Sequence, residues 1–189
     1  MHSFFSNPFS RLPVQTQKTT RWVLGFVTMF LLAALIIIDQ PLKNVHAPDG
    51  IVSFELAGNY QQTQQILNSW DHSAKLHAAL SLGLDFLFLV SYSLFLSMLV
   101  FKISEIYTGT KERVVQIGST LAMLQLVAAV FDSLENYFLI RLLFGAQTKI
   151  YSALAFGFAI AKFTLIILGI LYILAGLDVL LVRRIHSVN

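Results

Sequence analysis

The chain has 189 residues, of which 56% are hydrophobic and 12% charged, with a formal net charge of +3 and no cysteine. A soluble domain carries about 25% charged residues. A mean hydropathy of +0.71, gathered into four long apolar runs, therefore excludes a soluble globular protein and predicts an all-α integral membrane protein of one domain, a four-transmembrane-helix bundle.

The absence of cysteine removes disulfide frameworks, thiolate metal sites and thiol redox chemistry. The positive charge comes without a basic helix, a zinc spacing or an aromatic sheet motif, so no nucleic-acid partner is expected. Topology explains the charge better.

In chain order, residues 1–21 form a polar tail with Arg11, Lys18 and Arg21, read as cytoplasmic. The first span, 22–38, has 17 residues, at the short end of what crosses a hydrocarbon core of about 30 Å. It is longer than a signal-peptide core. Asp39, Gln40 and Pro41 follow it in place of a small-residue cleavage pattern, so it reads as an uncleaved signal anchor. Residues 39–75 make the only sizeable extramembrane segment, a short helical extracytoplasmic loop. Pro48, Asp49 and Gly50 signal a turn, and Ile51, Phe54 and Leu56 give a short amphipathic stretch containing Glu55. Asn59 is a candidate cap for a second stretch, with Ile66, Leu67 and Trp70 on one side and Gln61, Gln62, Gln64 and Gln65 mostly on the other. Two short helices lying on the outer membrane surface are expected, with Trp70 at headgroup depth.

The second span, 76–101, carries Asp85 in its interior. The third, 114–140, carries Gln125, Asp132, Glu135 and Asn136. The fourth, 153–182, carries Lys162 and would make about 45 Å of helix, so it is expected to tilt, to kink near Gly169 or Gly176, or to project into the cytoplasm ahead of the tail 183–189. With the N-terminus inside, the flanks hold eight Lys and Arg residues on the cytoplasmic side against four outside, which places both termini in the cytoplasm. The compact form and the signal anchor point to a bacterial inner membrane. No internal repeat and no matched pair of broken helices of the inverted-repeat transporter type is present.

The ionisable residues inside the spans share one depth. At about 1.5 Å per residue, Asp85, Asp132 and Lys162 each lie roughly 12–13 Å below the outer boundary, with Glu135 and Asn136 within about 8 Å of it. Each charge costs about 2.5–3.5 kcal/mol at a helix centre, so the three are expected to face one another across the bundle. Asp132, Glu135 and Asn136 are related as i, i+3, i+4, and Ala122, Gln125, Ala129, Asp132 and Asn136 form a small or polar stripe. His77, Ser81, Asp85, Phe88 and Tyr92 share roughly one face of the second span. On the fourth, Ala155, Ala159, Lys162 and Gly169 do likewise, while Ala153, Gly157 and Ala161 repeat as small-xxx-small for close packing. Three acids against one lysine in a poorly solvated layer are the physical basis of a proton or cation site. The structural alternative has Lys162 held between Asp85 and Asp132 as glue, with Glu135 reaching the outer surface.

The candidate ligand- or ion-binding residues are thus Asp85, Asp132, Glu135, Asn136 and Lys162, rimmed by His77, Tyr92, Gln125 and Glu55. Glu55 is read either as solvated or capping, or as folding over the outer mouth as a lid or ligand. His72 and His77 are five apart, which does not put two ligands on one helical face, so no metal is implied. No cofactor is implied either, because phosphate loops, HExxH and GxSxG motifs are absent. The serines of the second span have only His77 as a near base, and no catalytic residue is assigned.

The first expectation is a non-enzymatic protein binding a small ligand, a lipid headgroup or a cation in this pocket, or holding a partner membrane subunit. A second copy or another membrane protein would dock through the small-residue face of the fourth span. The alternatives are a proton- or cation-coupled transporter component, which would need a polar path onward to the cytoplasm, and an intramembrane enzyme acting on lipid, which would need a lone, water-accessible carboxylate.

Overall fold

A computed structural model describes residues 8–109 and 111–186. Six helices account for most of them: α1 (Val14–Asp39), α2 (Ile51–Glu55), α3 (Tyr60–Ser69), α4 (His72–Ser104), α5 (Glu112–Leu143) and α6 (Ile150–His186). α1, α4, α5 and α6 are each long and apolar enough to cross a membrane, and the described residues contain no strand beyond one isolated bridge between Asn44 and Ala47. The side chains of Arg183 and Arg184 and the tail 187–189 lie outside the described residues, as do residues 1–7 of the N-terminal tail.

Local chemistry sets the helix ends. Asn59 caps α3 by accepting from the Gln62 N–H at 3.0 Å, and Asp71 caps α4 by accepting from the Ala74 N–H at 2.7 Å, each satisfying one of the free amides of a first turn. α5 ends where Gly145 takes φ of +88° and Ala146 donates back to the Arg141 carbonyl, the left-handed C-terminal cap that glycine favours. α1 begins at Val14, ahead of its apolar run, because Gln17, Lys18 and Arg21 are good helix formers that continue its register.

In the bundle α4 is the central element, packed against α1, α5 and α6, and α5 also packs along α6; α1 packs chiefly on α4. The outward faces are apolar: Trp22, Phe26 and Ile37 of α1 and Ile167 and Leu171 of α6 are exposed, as hydrocarbon requires of spanning helices. α6 runs unbroken past Gly169 and Gly176. These glycines serve close approach, since a Cβ at Gly169 would lie 2.5 Å from Gln125 Nε2 and one at Gly176 would strike Ile103. Gly118 of α5 likewise leaves space for the Tyr172 ring. The face of α6 turned inward carries Ala155, Ala159, Lys162 and Gly169. The small-xxx-small stripe expected to pack closely is turned away, with Ala153 and Gly157 exposed and nothing within 4 Å of a Cβ added at Gly157. Burying Lys162 fixes the rotation of the helix and leaves that stripe outside.

The segment between α1 and α4 does not lie flat beside the bundle. It folds across one end as a cap. Leu42, Phe54, Leu67 and Trp70 join Ala78, Leu82, Leu139, Leu142 and Ala155 in one apolar core. Trp70, expected at headgroup depth, is 3% exposed. Its indole N–H donates to the Leu42 carbonyl at 2.9 Å, and Phe54 stands edge-on to its ring at 5.4 Å. A buried indole needs an acceptor, and the chain turning at Gln40–Leu42 provides one.

The cap is tied to α1 through Asp39, whose carboxylate accepts from the Ile51 N–H at 2.6 Å and lies 3.9 Å from Lys43. Gly50 has φ of +60°, and a Cβ there would strike the Asp39 carboxylate. Gly50→Ala should accordingly cost about 1–3 kcal/mol through backbone strain and free the start of α2. Thermal unfolding in detergent would register the loss, and an unchanged midpoint would show that the turn tolerates a side chain.

Candidate functional site

The polar residues within the long helices meet beneath the cap. Positions 132, 135 and 136 share one face of α5 by helical spacing, and this face is turned inward: Asp132 is 2% exposed, Glu135 and Asn136 0%. Lys162 reaches across from α6, with Nζ 2.8 Å from Asp132 Oδ1 and 2.9 Å from Glu135 Oε2. Glu55, at the C-terminal end of α2, completes the shell, its Oε2 3.5 Å from the same Nζ. The Tyr92 hydroxyl of α4 donates to Asp132 Oδ2 at 2.9 Å, so both oxygens of that carboxylate are held. Asn136 turns its Nδ2 to Asp85 Oδ2 at 2.6 Å.

The glue arrangement expected from sequence differs in two particulars. Lys162 is shared by Asp132, Glu135 and Glu55, while Asp85 is bonded to neutral Asn136. Glu135 does not reach the surface. One helical turn separates positions 132 and 136, so the face that brings Asp132 to Lys162 also brings Glu135 inward and sends Asn136 toward α4. Three carboxyl groups thus surround one ammonium, and a fourth, Asp85, stands apart from it. Lysine compensates part of the desolvation of its neighbours, and the layer as a whole is rich in acceptors.

Glu55 shows the consequence outside the spans. Burial raises its carboxyl above the ordinary 4.5; the Lys162 ammonium opposes this, Asp132 adds to it, and hydrogen bonds with Glu135 and Lys162 lower it, leaving the net direction upward. A carboxyl held above its unfolded value keeps its proton while the unfolded chain loses it. Its contribution to stability is therefore full below about pH 4.5 and is lost as pH rises through the folded value. Glu55→Gln should remove this part of the pH dependence, gaining on the parent protein as pH rises from 4.5. Paired thermal melts across pH test this, and parallel profiles would place Glu55 in water.

Beside the cluster lies a cavity of about 470 Å³ bounded by α1, α4 and α6 and covered by α2. Leu32 and Leu35 of α1, Phe88 of α4 and Phe163 and Ile166 of α6 make its apolar walls, and Asp85, Asp132, Asn136, Lys162, Tyr92 and Glu55 border it. Asp85 is half-buried. Leu32, Ile36 and Ile170, which also line the space, are 37%, 54% and 40% exposed, so it opens sideways between α1 and α6.

Two residues assigned to the rim sit elsewhere. His77 turns to its own helix, its Nδ1 2.9 Å from the Ser73 carbonyl, and it does not border the cavity. Gln125 is fully buried deeper in the bundle, where its Nε2 donates to the Leu165 carbonyl at 2.9 Å and joins α5 to α6. Thr28 and Asp39, which the sequence reading did not select, do border the cavity. Their signal was faint: a polar residue in an apolar span and an acid at its end. Among the described residues no group of three or more His, Asp and Glu is placed to hold a metal, and an ammonium occupies the centre of the acidic layer.

Fold and site together define a helical bundle with four helices long and apolar enough to span a membrane and a buried Lys–Asp–Glu cluster. Comparison with protein-family models, curated proteins and solved structures finds no match.

Proposed function

We propose that this protein is a non-enzymatic, multi-pass membrane protein that binds a small amphipathic ligand in the cavity between α1, α4 and α6, with the capped end facing away from the cytoplasm. The observation that carries this reading is a half-buried carboxylate, Asp85, on the wall of an otherwise largely apolar space that opens toward the lipid-facing surface. Ligand sites have this character: 300–1,000 Å³, mostly apolar, with a few convergent polar groups. The excess of Lys and Arg flanking the opposite end supports the orientation. A transporter would need the polar path to continue, and in the other half of the bundle buried Gln125 is already engaged with backbone carbonyls.

The test is mass spectrometry of small molecules co-purifying with the protein in mild detergent, set beside Leu35→Trp, which fills the cavity from α1. A bound amphiphile that disappears in a folded Leu35→Trp variant supports the reading. An empty parent protein that displaces no hydrophobic probe overturns it.

A further inference from the structure

The cavity's polar wall carries information about the head of the ligand, given that the cavity is a binding site. Asp85 borders the space and receives one hydrogen bond, from an uncharged amide. The one ammonium in the layer is engaged by Asp132, Glu135 and Glu55. Two buried oxygens of wall residues also lack a hydrogen-bond partner, Asn136 Oδ1 and Thr28 Oγ1. The region is short of N–H and O–H groups and short of positive charge.

Three head groups can be compared on this ground. A carboxylate or phosphate would bring negative charge beside four carboxyl groups and only one lysine. An alcohol supplies one donor and no charge. A protonated amine supplies several donors and the missing charge, and hydrogen bonds between charged partners are about twice as strong as neutral ones. A metal cation would need several oxygen ligands, whereas among the described residues no three His, Asp or Glu side chains are placed to hold one.

The shape constrains the rest of the molecule. Along α4 the lining runs from Ser81 to Leu96, about 22 Å of helix. At about 30 Å³ for each methylene-sized group, taken as equal to a water's share of the liquid, the volume of about 470 Å³ holds roughly fifteen groups. A space of that length and capacity suits one alkyl chain.

We propose that the cavity takes a single-chain amphiphilic amine, entering sideways from the bilayer between α1 and α6, with its ammonium seated on Asp85 and its chain against Leu32, Phe88 and Ile166.

The experiment uses the full chain in nanodiscs of zwitterionic lipid. A fluorescent long-chain alkylamine is displaced by dodecylamine, dodecanol or dodecanoate, with Leu35→Trp run in parallel to subtract partition into the lipid. Dodecylamine should compete about tenfold better than dodecanol, the ratio set by a charge-assisted bond worth about 1.4 kcal/mol more than a neutral one, and dodecanoate least. Asp85→Asn should abolish the preference for the amine over the alcohol. Equal competition by amine and alcohol, or preference for dodecanoate, overturns the head-group assignment and leaves the cavity reading standing. Probe binding that is the same in the parent protein and Leu35→Trp overturns the cavity reading itself. If Asp85→Asn does not fold, the comparison of the three heads on the parent protein still decides.

Discussion

Lys162→Met should cost the bundle roughly 3–5 kcal/mol, because it leaves buried carboxyl groups without their cation. Lys162 Nζ is the shared partner of Asp132 at 2.8 Å, Glu135 at 2.9 Å and Glu55 at 3.5 Å. Asp132 and Glu135 are almost wholly removed from solvent. Methionine has about the right length and no charge, so packing changes little and the loss reports electrostatics. Asp132→Asn alone should also destabilise, since it removes the shortest pairing of an otherwise poorly solvated ammonium. The two changes together should be milder than the sum of the singles, the signature of groups that act as a unit. Because Glu135 remains in place, the triple change Asp132→Asn/Glu135→Gln/Lys162→Met should come closer to the parent than the double. Unfolding in detergent, followed by circular dichroism, measures each step. Additive losses would mean that the three side chains are held by something other than one another.

Much of this layer was legible in the sequence, for a specific physical reason. A spanning helix converts residue number into depth at about 1.5 Å per residue, and a charge in hydrocarbon must find a partner at its own depth. Asp85, Asp132 and Lys162 could therefore be assigned to one layer before any contact was known. The four long apolar helices were legible on the same basis, since length and composition suffice. Depth does not give azimuth, however. The face rule put Glu135 and Asn136 near Asp132, yet a rotation of part of a turn decides which of them meets Lys162, and Glu135, which the structural alternative sends to the surface, is in the core.

Glu55 and Trp70 were harder because a segment between spans has no such ruler. The position of Glu55 depends on how α2 is held at both ends, by Asp39 at its start and by the bundle core around Phe54. Both are long-range consequences of the whole cap. Trp70 satisfied an interfacial pattern and a core pattern equally well, and the free carbonyl of Leu42 that decides between them is invisible in a list of letters. Gly169 and Gly176 of α6 read as kink sites in the sequence, whereas their role depends on which side chain of the facing helix arrives opposite them.

The second large effect is expected at Trp70, which fastens the cap to the bundle. Trp70→Ala removes a 3%-exposed indole from a core shared with Leu42, Phe54, Leu139 and Leu142, and large-to-small changes of this kind cost about 3–5 kcal/mol. Trp70→Phe keeps most of the apolar volume but leaves the Leu42 carbonyl without the indole donor, for a smaller cost of about 1–3 kcal/mol. The four long helices have their own contacts along their lengths, so the loss should fall on the cap first. Limited proteolysis at half-exposed Lys43, which lies in the turn whose carbonyl Trp70 holds, should quicken greatly in Trp70→Ala and modestly in Trp70→Phe, while the helical circular dichroism of the spans is kept. Since α2 carries Glu55 to Lys162 and covers the cavity, the same variant should lose the pH dependence attributed to Glu55. A protein that instead melts as one unit, with no early cleavage at Lys43, would show that cap and spans form a single cooperative structure, and Glu55 could then move only when the whole bundle opens.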